Sequence, residues 1–140
     1  MIDKTLVEKK LRRIEEFLRE LLQVEIDSIE DYRGNIINKR FIERNIELSI
    51  EQMIDICRHI VSGLDLSEPE TYADCFNNIA KQGIISAENI QIYKSMIRFR
   101  NMLIHIYDGV DDSITYDIYK NHLDDFKLFI EEIRTNLKKD

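Results

Sequence analysis

Apolar residues recur at helical spacing along most of this chain. Val7, Leu11, Ile14, Leu18 and Leu21 alternate steps of four and three, which predicts an amphipathic helix from about Asp3 to about Val24. Phe41, Ile46, Ile50, Met53 or Ile54, Cys57 and Ile60 draw the apolar side of a second, longer helix from about Ile37 to Ser62. Thr71 with Asp74 can cap a short third helix, "YADCFNNIAKQ", and Ser86 can cap a fourth that runs into "RFRNMLIHIYDG". Toward the end, Tyr119, Leu123, Phe126, Ile130, Ile133 and Leu137 follow steps of 4, 3, 4, 3 and 4. That stripe has the width of a seam in a helical bundle.

The breaks between these segments are chemically marked. Gly34, Gly63, Gly83 and Gly109 each fall where a periodic segment stops, as expected of glycine at or just beyond a helix C-terminus. "GLDLSEPET" holds the only proline and is the clearest loop. "DSIEDYRG" (27–34) offers Asp27 and Glu30 as a capping-box-like start for a short turn or a frayed extension. Strand-like alternation, internal repeats and low-complexity tracts are missing. The pattern predicts an all-α, up-and-down bundle of about five helices, with residues 1–140 forming one domain.

Composition narrows the class. A chain of 140 residues with 44% hydrophobic and 34% charged residues can bury one real core. The start, "MIDKTLVEKKLRRIEE", has no apolar stretch of the secretory kind, and no apolar run approaches the roughly 18 residues of a spanning helix. These features predict a cytoplasmic protein with no membrane partner. Cys57 and Cys75 lack C-x-x-C spacing and read as buried free thiols in a reducing compartment. The formal net charge of −7 argues against broad, non-specific nucleic-acid binding, yet leaves room for a small basic site.

Such a site is written into the fourth helix. From Asn89 to Tyr107 there is no acidic residue, although the chain holds 27 Asp and Glu in 140 residues. The same window carries Lys94, Arg98 and Arg100, a local positive strip of the kind that can hold phosphates. At about 100° per residue, Lys94, Arg98, Asn101 and His105 fall within about 60° of one another as one polar stripe. Arg100 falls instead with Tyr93, Met96, Ile97, Ile104 and Tyr107, on an otherwise apolar face. An unpaired guanidinium buried there would cost several kcal/mol, so Arg100 must meet a carboxylate, line a wet cleft or sit at a subunit boundary. His105 lies four residues before Gly109, where a helix C-terminus favours the imidazolium and suits it to acid/base work. An ordinary helix-terminal cap would account for its position equally well. His59 and His122 stand alone, as surface or interhelical histidines. No cysteine or histidine spacing suggests a metal, no glycine-rich phosphate loop is present, and no cofactor is implied.

"RNMLIHIY" resembles the signature of the HEPN ribonuclease domains, and in particular the R-x4-H-x-Y variant of the HepT toxins. Arg100, Asn101, His105 and Tyr107 occupy its positions. The likeness extends through "RFIERNIELSIEQMIDICRHI" (40–60), "PETYADCFNNIAKQGIIS" (69–86) and "FRNMLIHIYDGVD", and so spans nearly the whole chain. The resemblance implies the toxin of a type II-like toxin–antitoxin pair, a metal-independent endoribonuclease that works as a homodimer on RNA. It implies His105 as general acid/base, Arg100 as the stabiliser of charge developing on the phosphoryl oxygens, and Asn101 as a positioning residue. Lys94 and Arg98 become candidate contacts to the RNA backbone. It further implies an MntA-like nucleotidyltransferase antitoxin that attaches AMP to Tyr107. On a straight helix Arg100 and His105 project about 140° apart, so their convergence calls for a local bend or for two subunits. The alternatives are a non-catalytic helical partner that complements a minimal nucleotidyltransferase and a purely structural helical dimer.

Overall fold

The computed structural model describes residues 1–104 and 110–139. Among them are seven α-helices: α1 (Lys4–Leu21), α2 (Ile29–Gly34), α3 (Ile36–Gly63), α4 (Tyr72–Lys81), α5 (Ile90–Ile104), α6 (Asp112–Asn121) and α7 (Leu123–Leu137). A single 3-10 turn, Ala87–Asn89, precedes α5. The described residues contain no strand.

Helix α3 is the central post. It packs against α1, α2, α4, α5 and α6, and for that reason buries far more than one stripe. Met53 and Ile54 are both buried, together with Ile42, Ile56 and Val61, which a single apolar side does not include. The polar residues it carries inward are satisfied: Asn45 Nδ2 donates to Glu20 Oε2 at 3.0 Å, and Ser49 Oγ donates to the Asn45 carbonyl at 2.8 Å. Cys57 and Cys75 are buried and free, as expected, and burial pushes the Cys57 thiol up. The helices share one apolar core, from Val7 and Leu11 on α1 to Phe129 and Ile133 on α7.

Two predicted elements divide differently. The segment 27–34 contains a true helix, Ile29–Gly34, and its cap is Ser28, whose hydroxyl accepts from the Asp31 N–H at 3.1 Å, rather than Asp27. The predicted last helix is two. Helix α6 ends at Asn121, and His122 adopts φ −126°, ψ 11° before α7 begins. The apolar steps of four and three run through this break unaltered, which hides it. Polar chemistry marks it instead: Asn121 bonds back to Asp117 at 2.7 Å, while Asp124 and Asp125 open α7 with charges that suit a new helix N-terminus. The break lets α6 cover α2 and α3 while α7 covers α1. His122 sits between Asp117 and Asp125, and His59 Nε2 accepts the Asp3 N–H at 3.0 Å. Both are structural histidines between segments.

Glycine is required at two positions. Gly83 follows α4 with φ +74°, a left-handed conformation that a side chain resists. Gly63 closes α3 beneath the start of the chain, where an added Cβ would stand 2.9 Å from the Met1 carbonyl oxygen.

Candidate nuclease site

Helix α5 carries every described candidate, so what fixes α5 fixes the site. Its entrance is tied to α7 by one carboxylate. Glu132 accepts from the Ser86 N–H, from Asn89 Nδ2 at 3.1 Å and from the hydroxyl of fully buried Tyr93. Burial and the adjacent Glu132 push the Tyr93 phenol well up. The cap thus differs from the expected one: Ser86 makes no side-chain capping bond, because the Glu132 carboxylate has taken the place of a cap. Below this anchor Tyr93 packs edge-on against Phe129, with ring centroids 5.4 Å apart.

About three turns along, Arg100 leaves α5 toward α3 and α4. Its side chain is 19% exposed, and Nη2 lies 3.6 Å from Glu51 Oε1. The guanidinium carbon stands 5.5 Å over the Tyr72 ring, a cation–π distance. Nη1 reaches Asn101 Oδ1 at a long 3.4 Å, and buried Nε has no partner. The apolar-face problem is therefore met by a carboxylate and an aromatic ring from neighbouring helices, though loosely. Arg134 shows what a wholly committed arginine looks like in this protein. Its guanidinium makes paired bonds to Glu8 and Glu15 at 2.7–3.2 Å, which hold Glu15 below the usual carboxylate range. By contrast, Arg100 has one carboxylate contact, at 3.6 Å, and leaves its Nε without a partner.

Asn101, Arg98 and Lys94 face a different way from Arg100, as the helical spacing predicts, and all three line one open groove of about 1330 Å³. Helix α3, Leu6 and Lys10 of α1, the loop before α4 and the first turn of α4, with Tyr72, form its other walls. Tyr72 and Asn101 both touch Arg100, so the groove runs up to the arginine. His105 and Tyr107, the remaining motif positions, lie outside the described residues. Glu51 and Tyr72 carry no motif in the sequence. The only trace of Glu51 is its place in a stripe, Glu47, Glu51 and Asp55, spaced four apart along α3. Among the described residues no helix is long and apolar enough to cross a membrane, and no cluster of His, Cys, Asp or Glu is suited to a metal.

Comparison with known proteins places the chain in a family. The sequence model described as "HepT-like: Ribonuclease HepT-like" matches residues 7–133. The tRNA nuclease HepT of Aphanizomenon flos-aquae is 26% identical over 136 residues, which cover 97% of this chain and 92% of that one. The mRNA nuclease HepT of Shewanella oneidensis is 30% identical over 90 residues, covering 64% and 68%. Among solved structures, a tri-AMPylated Shewanella oneidensis HEPN toxin in complex with its MNT antitoxin superposes with a TM-score of 0.85 at 25% identity. That alignment covers 96% of this chain and 99% of the toxin.

Proposed function

Because the chain belongs to the HepT-like ribonuclease family, we propose that it is a metal-independent endoribonuclease and the toxin of a toxin–antitoxin pair. One observation carries the reading: the Arg100 guanidinium is steered by Glu51 and Tyr72 but is not consumed by them, and it stands at the end of a groove lined by Lys94, Arg98 and Asn101. A guanidinium with spare donors in a partly desolvated place suits charge that develops on phosphoryl oxygens. The chemistry in this reading is internal transesterification. The ribose 2′-OH attacks the adjacent phosphorus, His105 handles the proton as general acid/base, and the 5′-oxygen leaves. Arg100 stabilises the phosphoryl oxygens, Asn101 holds the arginine through its Oδ1, and Lys94 and Arg98 contact the RNA backbone.

Two copies of the chain, with their motifs face to face, would bring His105 of one near Arg100 of the other, which answers the 140° divergence on a straight helix. Tyr107 is the proposed target of an MntA-like nucleotidyltransferase antitoxin. An added AMP two residues from His105 would block the cleft and repel an RNA phosphate. The complex of an AMPylated relative with its antitoxin supports this regulation.

The test is RNA cleavage in EDTA by wild type and by His105→Ala. The expected result is cleavage that survives chelation and is lost in the variant; equal cleavage by both rejects the role of His105. Incubation with the partner and ATP, read by intact mass, should add AMP to wild type and not to Tyr107→Phe. Mass gain that persists in Tyr107→Phe rejects that site.

A further inference from the structure

We infer that the groove beside α5 is a binding track for single-stranded RNA, in which Arg58 of α3 joins Lys94 and Arg98 in holding the strand on one side of the scissile bond. This rests on the ribonuclease reading and adds where the substrate lies and what recognises it.

Three observations carry it. First, the cations on the α3 and α5 walls are free to act. In a chain with 27 acids against 20 Lys and Arg, Arg134, Lys39, Arg40 and Arg44 are all engaged by carboxylates. Arg58, Lys94 and Arg98 have no ion pair among the described residues; the guanidinium of Arg98 bonds only to Ser95 Oγ, at 3.0 Å. Arg58, Lys94 and Arg98 thus keep free donors toward one concavity, and cations so placed can follow a phosphate backbone.

Second, the groove has an aromatic side chain where the track meets the motif. Tyr72 lines the groove and carries Arg100 over its ring. Single-strand sites combine backbone cations with an aromatic face for bases. Third, the size suits a polymer. About 1330 Å³ exceeds the pocket of a drug-sized ligand, roughly 300–1,000 Å³, so the groove takes a length of strand rather than one nucleotide.

Three of the four acids of the groove fall away from α3 and α5, and the fourth, Asp55 on α3, is already paired. Asp65, Glu68 and Glu70 belong to the loop before α4, and Asp55 is paired with Lys10 at 3.7 Å. Phosphates would therefore follow α3 and α5, and base edges would turn toward the loop, where carboxylates can accept from base amino groups. Specificity for base identity would then reside in residues 65–70.

The test compares a trinucleotide with a single-stranded RNA of about twelve nucleotides, a length typical of such tracks, on the full-length protein. The expected result is that Arg58→Ala and Lys94→Ala each lower the ratio of kcat/KM for the longer RNA to that for the trinucleotide, by about tenfold. In the His105→Ala background each should weaken binding of a fluorescent poly-pyrimidine strand and reduce its salt slope by about 0.7. Lys127→Ala, on the opposite side at α7, should change neither. An unchanged length ratio and salt slope in both variants overturns the track while wild-type cleavage leaves the nuclease reading standing. Absence of His105-dependent cleavage of either RNA by wild type is the separate failure of the nuclease reading. Should Arg58→Ala and Lys94→Ala leave RNA binding intact but weaken the complex with the nucleotidyltransferase partner, the groove is a protein-docking surface and the inference is wrong.

Discussion

Glu132 offers the sharpest test of how α5 is held. Its carboxylate takes three donors at the start of the helix, and one of them, the Tyr93 hydroxyl, belongs to a residue with no solvent exposure. Glu132→Ala leaves that hydroxyl without an acceptor, at a cost of about 1–3 kcal/mol for a buried orphan. It also removes an anion from the N-terminus of α5, worth about 0.3–1 kcal/mol. The sum predicts destabilisation of about 1–4 kcal/mol. Glu132→Gln should cost less, about 1–2 kcal/mol, since its single carbonyl can still serve Tyr93 and Asn89 while its amide meets the Ser86 N–H donor to donor. Tyr93→Phe removes one partner from the other side. If the bond itself is the cause, Glu132→Ala combined with Tyr93→Phe should cost about 1 kcal/mol less than the two added, because no hydroxyl is left orphaned. Urea unfolding followed by far-UV circular dichroism measures this through the midpoint, with the m value unchanged. A Glu132→Ala protein within about 0.5 kcal/mol of wild type, or strictly additive single costs, would refute the anchor.

Two other predictions concern charge. Arg134→Met should destabilise by about 1–2 kcal/mol, the scale of a bidentate but partly exposed pair. Because Arg134 holds the Glu15 carboxyl below its ordinary 4.5, that contribution is complete above about pH 4.5 and is lost as pH falls through the lowered value. The gap between wild type and variant should accordingly close in acid, and a gap that is constant from pH 7 to about pH 3 rejects the linkage. At the site, Glu51→Gln removes the charge 3.6 Å from Arg100 and should lower RNA cleavage about fivefold, equivalent to about 1 kcal/mol. A rise in activity would show that Glu51 competes with phosphate rather than orienting the arginine.

The sequence carried what repeats and lost what happens once. Most helices followed from period or caps: three apolar stripes marked α1, α3 and the α6–α7 stretch, and Thr71 caps α4 through the Asp74 N–H at 3.0 Å as its type and position foretell. Period could not find the break at His122, because the apolar steps on either side stay in phase. It could not measure the width of α3's buried surface either, since one stripe describes a helix at the edge of a bundle and α3 stands at its centre. The site divides along the same line. Lys94, Arg98 and Asn101 share a groove because seven residues of one helix set their relative angle, a local property. Arg100 needed a partner that local geometry does not name. Burial logic required a carboxylate, a wet cleft or a subunit boundary, and the described residues supply a portion of the first two: Glu51 at 3.6 Å, 49 residues earlier in the chain, and an open groove beside it. A guanidinium so placed loses too little solvent to demand a tight pair and keeps too little to be a mere surface charge. In the proposed reaction, that intermediate state is what would let its donors turn to a phosphate.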